Sequence, residues 1–419
     1  MPEDYMPNGA PVDKMDVPIA AQDNPRRIIR NVNLLQIVTA VSLLALCLMA
    51  TFGGIFGILE VHSVLGGDAN LDFVEYWASG QLLVHGRNPY DATEILGLER
   101  SAGYTLQKAQ IGASPPTIFV FEAPLGFLGV KTGMILWTTL LTACLVASIY
   151  LLWIQFGRRA GYLHLLCFCC ASSVFCLMAG QIGIFLLLTI ALFLYLHKSN
   201  PFLSGAVLAV LSLKPHLFLP FGTILVLWSI HGRRYRILVG FASAIVAACA
   251  LIFCIDAHAW SQYLQMMRIA KLSDYPVFTL SRTFRILLNR ELAWLQYVPV
   301  VAGMGWTAWY FWRSRRHWNW MRHGLLVLIV SVVCAPYSWH TDETILIPAI
   351  MAGLYRSQET NRSLLPFALI AGAEFAELFN GFWMNTPYYL WTGPAWMAWF
   401  LYATRKTKSE RLQEEAVLL

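Results

Sequence analysis

The sequence predicts an all-α polytopic membrane protein, and two observations carry the prediction. Of 419 residues, 57% are hydrophobic and only 13% are charged, where a soluble domain carries roughly 25% charged residues. Too few polar side chains exist to coat a globule of this size. Many apolar runs also approach or reach the ~17–25 residues a helix needs to cross the hydrocarbon core. A β-barrel would show short alternating segments instead.

The elements follow in chain order. Residues 1–31 are polar, rich in Pro and Asp, and read as a disordered N-terminal segment ending in Arg26, Arg27 and Arg30. The apolar run at 33–59 is too long for the core of a signal peptide and reads as a retained first span. A hydrophilic stretch, 62–116, comes next. The apolar piece at 117–130 is broken by Glu122, Pro124 and Gly126. It is expected to be re-entrant or to lie against protein, because broken backbone at membrane depth must be shielded from lipid. Further spans fall at 133–156, 161–178, 182–196, 202–213, 217–230, 237–255, 295–312, 324–336, 345–354, 364–379 and 389–402, giving twelve in all. Residues 32–403 thus form one transmembrane domain, and 404–419 form a tail.

Charge sets the orientation. With the N-terminus in the cytoplasm and the spans alternating, 20 of the 30 Lys and Arg fall on the cytoplasmic side, notably Arg233, Arg234 and Arg236, and Arg313, Arg315 and Arg316. That is the positive-inside bias. Both termini are then cytoplasmic, and two large loops, 62–116 and 256–294, face outward. The net charge of +6 is an orientation signal and gives no reason to expect nucleic acid. The nine cysteines lie mostly in apolar runs, where they act as small hydrophobes. None has zinc-site spacing with histidines.

Unusual groups collect on the outward side. Asp72, Glu75, Tyr76 and Ser79 stand at i, i+3, i+4 and i+7, so a helix puts them on one face. Phe73, Trp77, Gly80 and Val84 make an opposite, apolar face. The pattern predicts an amphipathic helix along the outer membrane surface, ended by the Asn88–Pro89 pair. A solvated interfacial helix with aromatic anchors would show the same pattern. The sharper reading makes Asp72 a general base, its pKa tuned by burial.

Lys214, Pro215 and His216 interrupt two apolar runs, which is costly unless they line a polar site. The plain alternative is a turn whose lysine snorkels to the interface. Arg282 and Arg285 stand at i, i+3 and could grip a phosphate, or simply touch lipid headgroups. His340, amid Trp339, Asp342 and Glu343, suits ligand binding or proton handling. Gly180 and Gln181 read as a tight turn between spans. Glu374 and Glu377 lie inside the 364–379 span, where carboxylates are functional candidates. No metal ligand set is assigned, although Asp72, Glu75, Asp342 and Glu343 could host a hard divalent cation through oxygen ligands.

The order of these motifs resembles glycosyltransferase family 87 of the GT-C superfamily. That family's first outer loop carries an Asp-Phe-x-x-Tyr-x-Ala segment and then Gly-x-x-Pro-Tyr-Asp. Here these are DFVEYWAS at 72–79 and GRNPYD at 86–91. Ser114-Pro115-Pro116 stands for Tyr-Pro-Pro, followed by Pro124 and Leu125. The Gly-Gln turn is at 180–181, with Gly183 where an Asn would follow it. Gly205 and LKP at 213–215, Ser281 with Arg282 and Arg285, and SWH at 338–340 continue the series.

The resemblance implies a GT-C-type fold with amphipathic helices in the outer loops. It implies an inverting transferase that takes a hexose, mannose above all, from a polyprenyl-phosphate donor in the outer leaflet. The acceptor would be a glycolipid, a polysaccharide or a protein, the protein would sit in the plasma (inner) membrane with its site facing the periplasm, and no nucleotide pocket is needed. Asp72 would take the acceptor proton. Lys214, Arg282, Arg285 and His216 would neutralise the departing phosphate. His340 would position a substrate, and Glu75, Tyr76 and Gln181 would line the site. The rival class is a transporter or flippase of lipid-linked glycans, but the chain lacks half-to-half symmetry and its polar groups gather on one face. A non-catalytic relative serving as an assembly partner would be expected to lose Asp72, which is present.

Overall fold

The structure is a computed structural model that describes residues 72–104, 107–159, 161–270, 279–379 and 387–406. The N-terminal segment, the first span and most of the tail, with the boundary at 31/32, lie outside the described residues. Within the described residues every regular element is helical and no strand occurs.

The hydrophilic stretch 62–116 holds α1 (Asp72–Val84) and α2 (Ala92–Ser101). The expected interfacial helix is present, but it is not laid on a surface. Phe73, Tyr76, Trp77, Ala78, Ser79, Leu82 and Leu83 are all buried, so apolar and polar faces alike are covered by protein. The reason is backbone proximity. A Cβ on Gly80 would meet the Glu122 carbonyl at 2.2 Å, and one on Gly126 would meet the Gly80 carbonyl at 2.2 Å. The broken piece α3 (Phe119–Glu122), with the 3₁₀ turns Pro116–Ile118 and Ala123–Phe127 around it, therefore packs directly on α1. Trp77 Nε1 and Gln81 Nε2 donate to the Leu128 carbonyl at 2.9 and 3.1 Å. The helix stops before Asn88–Pro89, at Val84, through Gly86 in the left-handed region (φ 67°). Asp91 of the same motif caps α2, accepting from the Thr93 and Glu94 amides.

The apolar runs form α4 (Val130–Gln155), α5 (Ala171–Ala179), α6 (Gly183–Leu196), α7 (Pro201–Leu208), α8 (Leu219–His231) and α9 (Tyr235–Ile255). Then come α10 (Ala259–Ala270) and α11 (Leu280–Leu288) of the 256–294 segment, followed by α12 (Val298–Ser314), α13 (Leu325–Val333), α14 (Ile347–Glu359), α15 (Leu365–Phe379) and α16 (Thr392–Thr404). Among the described residues, only α4 and α9 are by themselves long and apolar enough to cross a membrane. α9 is the clearer case. Val246 and Phe253 are 67% and 62% exposed, which suits a lipid-facing helix and not the core helix of a soluble domain. The other apolar runs give shorter helices extended by 3₁₀ or π turns, such as Leu163–Cys169 before α5 and Trp320–Gly324 before α13.

The two long hydrophilic segments, 62–116 and 256–294, pack together through their described residues. Tyr90 and Tyr263 lie 5.7 Å apart by ring centroids, and the Tyr90 hydroxyl donates to the Ser114 carbonyl at 3.3 Å. The 3₁₀ helix His340–Leu346, between α13 and α14, packs against α5 and α6. It is the element that positions the site.

Candidate active site

Gln181 is the hub. It follows Gly180, which caps α5 in the left-handed region (φ 72°). A Cβ there would meet Phe73 Cβ at 2.8 Å, and Trp137 Nε1 donates to the Gly180 carbonyl at 2.7 Å. The turn is thereby pinned against α1. From it the Gln181 amide reaches three partners. Its Nε2 donates to Asp72 Oδ2 in a short hydrogen bond. Its Oε1 accepts from the Tyr76 hydroxyl at 3.2 Å and from Lys214 Nζ at 3.1 Å. Lys214 Nζ also donates to Asp342 Oδ1 at 2.7 Å, an ion pair with Asp342 wholly buried and Lys214 nearly so. The second oxygen of Asp342 accepts from the Trp339 amide at 2.9 Å. Four segments distant in sequence thus meet in one hydrogen-bonded chain, Asp72–Gln181–Lys214–Asp342.

Gly183 has a local reason as well. A Cβ there would meet the Thr341 carbonyl at 2.9 Å, so its small size lets the His340–Leu346 turn come alongside Gln181. This is where the sequence departs from the Asn of the resemblance.

The electrostatics favour a tunable base. Burial pushes the Asp72 carboxyl up to about 6, against the opposing pull of its Gln181 hydrogen bond and the Lys214 charge. The side chain still keeps some surface open. Beside it, burial first and the Asp72 and Glu99 charges second hold Glu75 well above the usual carboxylate range. Glu99 is raised to about 7 by burial, with the Gln110 amide bonded to its carboxylate opposing the shift. A half-open carboxylate held next to a buried ammonium, with neutral acids alongside, can take a proton from a hydroxyl near neutral pH.

A family model for glycosyltransferase family 87 matches residues 114–336, just over half of the chain. The chain belongs to glycosyltransferase family 87. No curated protein and no solved structure matches it. The matched stretch contains Gln181 and Lys214, whereas Asp72, Tyr76 and Asp342 lie on either side of it. In this glycosyltransferase the fold therefore joins the network from within and beyond the family match.

The other expected residues distribute differently. His216 stacks edge-on to Tyr337 at 5.5 Å. Burial first, then the Lys214 charge, against the pull of Asp342, lowers its imidazole to about 4. At neutral pH it is uncharged, so it offers hydrogen bonds and not a cation. Arg285 is buried, donating to the Arg290 carbonyl at 2.8 Å and to Gln296 Oε1 at 3.3 Å. Gln296 in turn holds the Pro336 carbonyl, and Ser281 holds that of Cys334. These contacts dock the 256–294 segment on the end of α13. Arg282 is half-buried beside them, its amide bonded to the Thr279 cap at 3.1 Å. His340 turns away from the Asp72 network. Its ring stacks on Tyr389 at 4.2 Å, with Nε2 3.9 Å from Glu374 Oε1.

The partner of Lys214 escaped the sequence reading, which took Asp342 only as a cation ligand. A lysine between two apolar runs requires a buried counter-charge, and that demand was the available signal. Glu99 carried none, being one acid in an ordinary polar helix.

Proposed function

We propose that this family 87 protein is a multi-pass enzyme of the plasma membrane, of about twelve spans, with both termini cytoplasmic and its site outward. It moves a hexose, mannose in the first instance, from a polyprenyl-phosphate donor to a hydroxyl of a glycolipid, polysaccharide or protein acceptor. The observation that carries the reading is the Asp72–Gln181–Lys214 chain, which sets a carboxylate and an ammonium on one amide.

Asp72 accepts the acceptor's hydroxyl proton while that oxygen attacks the anomeric carbon. The bond from that carbon to the phosphate oxygen breaks, the electron pair leaves with polyprenyl phosphate, and the anomeric centre inverts. An ammonium has three N–H donors, and Lys214 directs two at Gln181 and Asp342. The third is available to the departing phosphate, where charge develops in the transition state. Asp342 holds the ammonium in place. Gln181 orients the Asp72 carboxylate, and Tyr76 fixes the Gln181 amide.

The test is label transfer by the purified chain in lipid, from radiolabelled polyprenyl-phosphate-mannose to a membrane extract. Labelled product with an inverted anomer supports the reading. Label that only crosses the bilayer of sealed vesicles, with no product, would make the protein a flippase.

A further inference from the structure

The His340–Leu346 turn has a second working face. A 3₁₀ helix has three residues per turn, so i and i+3 eclipse. His340 and Glu343 therefore project together, while Asp342 points a third of a turn away to Lys214. Opposite them α15 supplies Glu374. One donor atom from each of His340, Glu343 and Glu374 fits within a sphere of contacts no wider than 4.8 Å. Each of the three residues as a whole is more than nine-tenths buried, Glu343 being the least so.

The hydrogen bonding is left half-made. Thr392 Oγ1 donates to Glu343 Oε1 at 2.7 Å, and Trp396 Nε1 donates to Glu374 Oε1 at 2.7 Å. These two bonds orient the carboxylates. The remaining oxygen of each, and both ring nitrogens of His340, have no hydrogen-bond partner among the described residues. Buried polar atoms are normally satisfied, and each exception needs a reason. No Lys or Arg is paired with either carboxylate among the described ion pairs. Two carboxylates, a neutral imidazole and one divalent cation sum to zero charge, which removes the cost of burying the acids unpaired.

We propose that His340, Glu343 and Glu374 bind one divalent first-row transition-metal cation, of the zinc or manganese kind. One imidazole nitrogen with two carboxylate oxygens suits such ions. Calcium would demand six to eight oxygens, and magnesium retains several waters in near-ideal octahedral geometry. The 3.9 Å from His340 Nε2 to Glu374 Oε1 is close to the ~3.4 Å edge that tetrahedral bonds of ~2.1 Å would give. Side-chain adjustment of about half an ångström closes that edge, and a pair at the 4.8 Å limit of the set closes with about 1.4 Å. The cation ties the His340–Leu346 turn to α15. It thereby steadies the segment that carries Asp342, the counter-ion of Lys214. This site stands apart from the Asp72 network and does not depend on the reaction proposed above.

The test uses the full chain in lipid, stripped with a chelator and titrated separately with ZnCl₂ and MnCl₂. Bound metal is read by elemental mass spectrometry and by the shift in thermal unfolding. The wild type should bind about one ion per chain of at least one of the two metals and unfold at a higher temperature with it. Glu374→Gln and Glu343→Gln should each weaken binding at least ~10-fold, while Asp72→Asn binds as the wild type does. A wild-type chain that takes up neither metal overturns the site even if the variants fail to fold. Equal uptake by wild type and both variants overturns it too.

Discussion

The two faces of one short turn are built on opposite terms. On the Asp342 side, every polar group of the chain from Asp72 to Lys214 has a partner, and the ammonium is paired with a buried acid. On the His340 side, two buried carboxylates and an imidazole keep atoms without partners among the described residues. A satisfied network is rigid and holds its groups in one arrangement, as a reaction centre must. A half-satisfied cluster is poised for something absent from the chain itself. The difference teaches that buried charge in this protein is not one phenomenon. One cluster is complete and works by geometry, and the other is completed by a cation.

The largest expected effect comes from breaking the complete side at its open end. Asp72→Asn should lower transfer by about 10²–10⁴-fold with the fold intact. The same change sharpens the comparison through stability. Because the folded carboxyl titrates near 6, above its ordinary 3.8, its stabilising contribution is present below 3.8 and is lost as pH rises through 6. At pH 7 and above, Asp72→Asn should therefore unfold at a higher temperature than the wild type, by the order of 1–3 kcal/mol. Thermal unfolding in lipid or detergent at pH 5 and 8 measures it.

Next in size is the buried pair. Asp342→Ala leaves the Lys214 ammonium unpaired and should cost about 3–5 kcal/mol of stability. The double variant Lys214→Met with Asp342→Leu should recover most of that stability and none of the transfer. Recovery of both would reduce the pair to packing.

Gln181→Ala comes third, at about 1–3 kcal/mol, because it strips hydrogen bonds from Asp72, Lys214 and Tyr76 together. It also removes a bond that favours ionised Asp72. The acidic limb of the kcat/KM profile should consequently move above pH 6, a shift that a merely structural role would not produce. The smallest effect is Gly180→Ala. Left-handed backbone and the approach to Phe73 Cβ should cost about 1–2 kcal/mol, with transfer reduced through displacement of Gln181.

Much of this was legible from the residues. The helical class followed from too little charge, and Asp72, Tyr76, Gln181 and Lys214 stood out as polar groups at the edges of apolar runs. The structure draws those four together. What the pattern could not convey is depth. The periodicity of α1 reads as amphipathic because i, i+3, i+4 spacing reports faces, not what covers them. Gly80 and Gly126 let α3 and its flanking turns close over the apolar face, while the Gly180–Gln181 turn meets Asp72 and Tyr76 on the polar one. Glu374 was visible as an acid within an apolar run, but its pairing with His340 requires two segments far apart in sequence to meet. Arg285 misled for a similar reason: its spacing from Arg282 suits a phosphate, yet its guanidinium is already engaged by Arg290 and Gln296.

The most direct test of the central claim, that Asp72 is the base of a glycosyl transfer, is the pH dependence of single-turnover transfer from polyprenyl-phosphate-mannose by the wild-type chain. The account predicts a rate that is flat above pH 7 and falls about tenfold per pH unit below an inflection near pH 6. A rate that stays flat down to pH 4.5 would contradict it, because Asp72 would by then be protonated.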